Sequence, residues 1–177
     1  MNHVHREPDF ENIRKVLRCQ KPDRPTLFEF FMNPAVYEEA AGPMPTDPDP
    51  VVQLAYMVKA YAACGYDYAN AYGCDLGFPT GETTHKDTIS LNAHSLIQSW
   101  EDFEAYPWPD AKNADYSRLE KIKAYLPPKM KLMTAGPGGL LENVISIVGY
   151  DTLCLMLYDD PELVKAIFDR VGGILLD

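Results

Sequence analysis

The chain has 177 residues, 46% of them apolar and 24% charged, values that exclude a disordered, collagenous or coiled-coil protein. Its 26 acidic against 16 basic residues give a net charge of −10, and an acidic surface repels phosphate backbones, so nucleic acid is not an expected partner. At roughly 150 residues per domain the length predicts a single domain. No run of about 18 apolar residues is present, so no membrane span is predicted. Cys19, Cys64, Cys74 and Cys154 form no CxxC pair, and the first residues carry no apolar leader core. Together these predict free thiols in a cytoplasmic protein.

In chain order, Asp9 is placed to cap a helix running to about Gln20, with Ile13, Val16, Leu17 and Gln20 on one side. Pro22 and Pro25 stop it. Residues 26–31, Thr-Leu-Phe-Glu-Phe-Phe, read as a buried strand. Asn33 and Pro34 then have the cap and first-turn chemistry of a short helix ending near Gly42. After a proline-rich loop, Asp47 or Asp49 caps a helix reaching Cys64, and Gly65 suits its left-handed terminus. Residues 66–72 read as a second strand, so strand, helix and strand predict a parallel βαβ unit.

Residues 73–113 are less regular. Residues 88–92 suit an extended edge, and Trp100 to Trp108 reads as an ordered loop pinned by aromatics. A loop of such length is often functional. Residues 115–126 predict a helix stopped by Pro127 and Pro128, and residues 131–135 a third strand. Gly136-Pro137-Gly138-Gly139 turns the chain into a helix starting near Leu140, and Asp160 with Pro161 opens a last one. That helix finishes on Ile174, Leu175 and Leu176, with nothing after them to cover them. Three βα units also make too small a parallel sheet to close. The expectation is an α/β chain forming the first part of a (β/α)₈ barrel, truncated after Asp177.

The ordered segments Asn12-Ile13-Arg14-Lys15-Val16-Leu17-Arg18, Lys21-Pro22-Asp23-Arg24-Pro25, Gly65-Tyr66-Asp67-Tyr68, Trp100-Glu101-Asp102-Phe103-Glu104, Ala135-Gly136-Pro137-Gly138-Gly139 and Leu157-Tyr158-Asp159-Asp160-Pro161-Glu162-Leu163 resemble the N-terminal half of the uroporphyrinogen decarboxylase superfamily. The resemblance spans nearly the whole chain and implies a (β/α)₈ barrel. The superfamily includes tetrapyrrole decarboxylases and zinc-dependent methyltransferases acting on corrinoid or thiol acceptors. It implies that Asp75 is the essential aspartate, allowing a one-residue offset, with proton transfer centred on it and no metal or organic cofactor. The family's Met-Arg-Gln-Ala-Gly-Arg segment, whose arginines bind substrate carboxylates, is replaced by Phe30-Phe31-Met32-Asn33-Pro34-Ala35, and the family's tyrosine falls near Val144. Arginine is the best partner for a carboxylate, so a divergent substrate is expected. The alternatives are zinc-dependent methyl transfer, its ligands on a C-terminal half, and a ligand-binding half-barrel without catalysis. The expected partner is a small-molecule substrate, with no nucleic acid and no membrane, and a homodimer is possible.

In such a barrel the chemistry sits at the carboxyl ends of the strands. That places Glu29 and Phe31 after the first, Asn70, Tyr72 and Asp75 after the second, and Gly136 with its loop after the third, followed by Glu142 in the next helix's first turn. A charge such as Glu29 inside an aromatic strand is costly if buried unpaired, and pairing with Lys131 is its ordinary alternative. Asp75 otherwise caps local amides between Gly73 and Gly77. The glycine loop offers amides to an anion, or merely lets backbones approach. His85 and His94, and the HxH of His3 and His5, are more ordinarily loop residues than ligands. Tyr56, Tyr61, Tyr66 and Tyr68 read as packing, with Tyr72 near enough to the mouth to meet a flat ligand.

Overall fold

Two parallel strands, β1 (Tyr68–Tyr72) and β2 (Lys131–Ala135), pair in register from Tyr68 opposite Lys131 to Tyr72 opposite Ala135. The computed structural model describes residues 6–81 and 95–177. The chain divides into two compact units, one of residues up to 74 with 116–135, the other of residues 75–115 with 136–177. The architecture is mixed helix and parallel strand, as an α/β chain requires.

In the first unit α1 (Glu11–Leu17) is shorter than its apolar pattern predicts. Cys19 takes a left-handed φ of 56°, and the Gln20 amide reaches back to the Lys15 carbonyl at 2.8 Å, a Schellman closure without the usual glycine. Only Ile13 of the predicted face is buried; Val16 and Leu17 are exposed. Asp9, the expected cap, accepts the Glu11 amide from one residue before the N-cap, which is Phe10 and makes no side-chain capping bond. Helix α2 (Pro34–Ala41) is capped by Asn33 and ends at Gly42, and α3 (Pro50–Ala63) is capped by Asp49, as expected. Gly65, at φ 84°, makes the left-handed turn that releases α3 into β1. Leu54, Val58, Ala60 and Tyr61 of α3 share a core with Tyr68, Ala69 and Ala71 of β1. The two buried alanines let the helix lie close to the strand.

Residues 26–31 do not form the predicted buried strand. Phe28, Phe30 and Phe31 are all more than half exposed, and no ladder includes this segment. Side chains take its hydrogen bonds. The Tyr68 hydroxyl accepts the Glu29 amide at 2.7 Å and donates to the Glu29 carbonyl at 2.6 Å. The Tyr61 hydroxyl and the Asn70 amide both donate to the Phe30 carbonyl, and the Met32 amide donates to the Tyr37 hydroxyl. Backbone groups satisfied in this way need no strand partner. Among the described residues two strands therefore stand where three were expected. The predicted helix over 115–126 is a short α5 (Ser117–Lys121) continued by a 3₁₀ turn.

The second unit is helical. The expected loop at Trp100 is a helix, α4 (Trp100–Ala105), capped by Ser99, with Trp100, Phe103, Tyr106 and Trp108 in successive ring contacts. Gly149, at φ 82°, separates α6 (Leu140–Val148) from α7 (Tyr150–Asp159), a break not predicted. Helix α8 (Pro161–Leu176) is capped by Asp160. Its end is better covered than its sequence implies. Ile174 is buried and Leu175 packs on the core with Val144, Ile147 and Ile167, leaving only Leu176 of the three exposed. The predicted edge at 88–92, and His3, His5, His85 and His94, lie outside the described residues.

Candidate functional site

One face of β1 carries two of the predicted site residues, Asn70 and Tyr72, and anchors the segment that holds two more, Glu29 and Phe31. Alternation puts Tyr68, Asn70 and Tyr72 on one face of the strand, and they grow more exposed along it, from buried to half-buried to 68% exposed. Residues 29–32 are held by that face. The backbone of Glu29 is fixed at Tyr68, the first residue of β1, and that of Phe30 at Asn70, its middle residue. The Glu29 carboxylate is exposed and does not carry the burial penalty its sequence position implies. Gly73 continues the ladder by donating its amide to the Ala135 carbonyl, and a side chain there would meet Thr134 and Tyr116.

Beneath this edge lies a cluster of tyrosines. Tyr61 contacts the rings of Tyr37, Tyr66 and Tyr68 at centroid distances of 6.2, 5.0 and 5.8 Å. Burial pushes the Tyr61, Tyr66 and Tyr68 phenols above the ordinary value, and the negative charge of Glu29 adds to this at Tyr66 and Tyr68. Neutral phenols both donate and accept, and Tyr68 does both to Glu29. These tyrosines pack and clamp, as expected, and Tyr56 is likewise buried with its hydroxyl on the Gly42 carbonyl. Sequence reasoning missed Phe28 and Phe30. Their rings meet edge to face at 5.5 Å, both more than half exposed. The spacing of the two rings by two residues was the available signal.

The amino end of the same strands is built differently. Asp67, wholly buried one residue before β1, is paired with the Arg24 guanidinium through both carboxylate oxygens and also accepts the Asp9 amide. Arg24 donates further to the Glu7 carbonyl. Lys129 pairs with Asp9 at 3.2 Å and Lys15 with Asp23 at 2.8 Å. The Glu11 amide, then Lys129, hold the Asp9 carboxyl below its usual range. Asn12, buried, accepts the Asp23 amide and ties the proline turn to α1. A groove of about 450 Å³ opens here between Glu7, Asp9, Asp23, Arg24 and Lys129, and its two cations are already paired.

In the second unit Asp75 is exposed and accepts the Asp115 amide at 2.9 Å, so it ties two segments far apart in sequence and does not cap the amides between Gly73 and Gly77. Gly136 is exposed. The loop after it is fixed by Asn143, whose side chain donates to the Pro137 and Gly139 carbonyls. The Glu142 carboxylate folds over Gly139, where an added Cβ would lie 2.2 Å from its oxygen. The chain's own carboxylate thus faces the start of α6, where an anion was considered, and like charge opposes one binding there. Among the described residues no group of three His, Cys, Asp or Glu side chains is placed to hold a metal ion. No single helix described is long and apolar enough to cross a membrane; α6 and α7 reach that composition only together, bent by 92°. No family model matches the chain, no curated protein matches it, and no solved structure matches it.

Proposed function

We propose that the chain contributes part of a uroporphyrinogen decarboxylase-like (β/α)₈ barrel, with β1 and β2 as two of its parallel strands, and that it belongs to an enzyme handling a small organic substrate at the carboxyl edge of β1. The observation that supports this best is the asymmetry of the parallel pair. The residues leading into the amino end of β1 are tied by ion pairs, and toward its carboxyl end the strand presents Asn70 and the exposed Tyr72, with an aromatic segment anchored along the same face. That is the division of labour of a barrel, with stability at one end and chemistry at the other. The Arg24–Asp67 pair also joins two of the segments on which the resemblance rests. The resemblance assigns the role of general acid and base to Asp75, whose side chain is exposed in the second unit.

The same edge favours a divergent substrate over a tetrapyrrole polycarboxylate. From residue 25 to 58 the chain has no lysine or arginine. Each missing charged hydrogen bond forgoes roughly 1.5–3 kcal/mol, so two cost about two to four orders of magnitude in binding. This supports methyl transfer to a corrinoid or thiol as the second reading. The test is turnover by the full-length protein of uroporphyrinogen and of methylated thiols or corrinoids, side by side. The expected result is little or no coproporphyrinogen, and a loss of about 10²-fold in Asp75→Asn on the accepted substrate. Robust coproporphyrinogen production would restore the narrow decarboxylase reading. Ligand binding without any turnover would leave a non-catalytic half-barrel.

A further inference from the structure

The exposed aromatic segment of the first unit carries an inference about ligand class, resting on the reading that this edge binds the substrate. Phe28 and Phe30 meet at 5.5 Å with their planes 79° apart, and are 57% and 58% exposed. Two rings at such an angle form an open corner. Phe31, 77% exposed, follows directly, and the exposed Glu29 carboxylate stands between the first two rings in sequence. The corner is anchored from below. Phe28 leans on the Tyr68 ring at 5.7 Å, and the backbone of Glu29 and Phe30 is fixed by Tyr68, Tyr61 and Asn70. Over residues 25–58 the chain carries five carboxylates, Glu29, Glu38, Glu39, Asp47 and Asp49, and no cation.

Aromatic faces carry negative potential and attract cations held within about 6 Å of the ring. An ordinary apolar contact would be indifferent to charge; this corner would not be, because the exposed Glu29 carboxylate next to both rings in sequence, the cation-free stretch around it and the net charge of −10 all favour a positive ligand. We infer that the corner of Phe28 and Phe30, with Glu29, receives an organic cation: an alkylated ammonium group on a small molecule. The rings supply the faces for its methyl groups, Glu29 supplies the counter-charge, and the clamped backbone removes the ordering cost of assembling them.

The experiment uses the full chain labelled with ¹⁵N and two probes of equal shape, choline and its neutral carbon isostere 3,3-dimethylbutan-1-ol. Choline is expected to shift the amides of residues 28–31 saturably, and the neutral isostere to bind about tenfold more weakly. Glu29→Gln and Phe30→Leu should each weaken choline several-fold, with unchanged near-ultraviolet circular dichroism showing that the fold is retained. Equal binding of both probes at residues 28–31 would overturn the cation assignment while leaving the edge as a binding site. Absence of any shift there, or burial of the same residues in a dimer seen by sedimentation, would overturn both readings. The comparison of probes on the unaltered chain decides the matter even where a variant fails to fold.

Discussion

The two ends of the β1–β2 pair are the ends of five-residue strands and are built from opposite materials. At the amino end, charge is buried and matched: Asp67 is wholly inaccessible, and Arg24 and a backbone amide answer it. Along the strand face that ends in the exposed Tyr72, the Phe28 and Phe30 rings are exposed and so is Glu29 between them in sequence. Each end inverts the ordinary preference for apolar inside and charged outside. The inversions mean different things. A buried matched pair fixes which segments meet, whereas exposed anchored rings add little to the packing of the described residues and are where the recognition proposed above would act. Substitutions should therefore separate the ends, with stability lost at one and binding at the other.

The largest effect is expected at Arg24. Arg24→Met strands a buried carboxylate and should cost about 3–5 kcal/mol, measured by urea unfolding. Asp67→Asn should cost less, because Arg24 keeps partial exposure and its bond to the Glu7 carbonyl. The double variant Arg24→Met with Asp67→Leu should recover much of the loss, since apolar replacement of a buried pair is often neutral. If the two single losses simply add, the pair is not coupled and the amino end loses its special status.

Next come the clamps. Tyr68→Phe removes one donor and one acceptor from Glu29 and should cost about 1–3 kcal/mol, while Tyr61→Phe, which loses the bond to Phe30, should cost about 1 kcal/mol. Both should speed chymotryptic cleavage after Phe28, Phe30 or Phe31, and Arg24→Met at matched stability should not. Alkali attacks the same clamps. Folded Tyr61, Tyr66 and Tyr68 hold their protons above the ordinary phenol value, whereas the unfolded chain releases them near pH 10. The unfolded state then binds fewer protons, so stability is complete below about pH 10 and falls as pH rises beyond it. In the second unit Tyr106, pushed up to about 12 by burial, adds to the same decline. Urea midpoints between pH 8 and 11 should show it, with a shallower slope in Tyr68→Phe.

Local chemistry made most of this fold legible. Asn33 with Pro34, Asp49 with Pro50, and Asp160 with Pro161 each announce a helix through cap and fixed φ, and all three helices form where those residues stand. Residues 131–135 form β2 as predicted. What failed was the segment at 26–31, because its composition is that of a strand while its partners are side chains from α3 and β1, an arrangement no local pattern encodes. Helix α1 failed at its end for a related reason. Nothing in Arg18-Cys19-Gln20 announces a left-handed closure, which glycine ordinarily supplies. Replacing Cys19 with Gly should therefore stabilise the chain, by up to about 1 kcal/mol. At the site, strand-end logic placed Asn70 and Tyr72 on a strand that forms, whereas Glu29 and Phe31 were assigned to the end of a strand that does not. The Phe28–Phe30 corner was not, because burial was assumed for the whole aromatic run.

The smallest effect on stability is expected at Tyr72, and it tests the carboxyl end most cleanly. Its ring is 68% exposed, and it follows the buried Tyr68 and the half-buried Asn70 on the same face. Tyr72→Ala removes little packing and should change the unfolding free energy by about 0.5 kcal/mol or less, as at other surface positions. Strand propensity favours tyrosine over alanine, but β1 is already paired with β2 along its length and packed on α3, so that preference weighs little. If Tyr72 extends the recognition edge, the variant should nonetheless weaken binding of a ligand that shifts the amides of residues 28–31, read by the same titration. A loss of more than about 1.5 kcal/mol of stability with binding unchanged would place Tyr72 with Tyr61 and Tyr68 as a packing residue. The recognition edge would then end at Asn70, and the division between the two ends would be drawn one strand residue earlier.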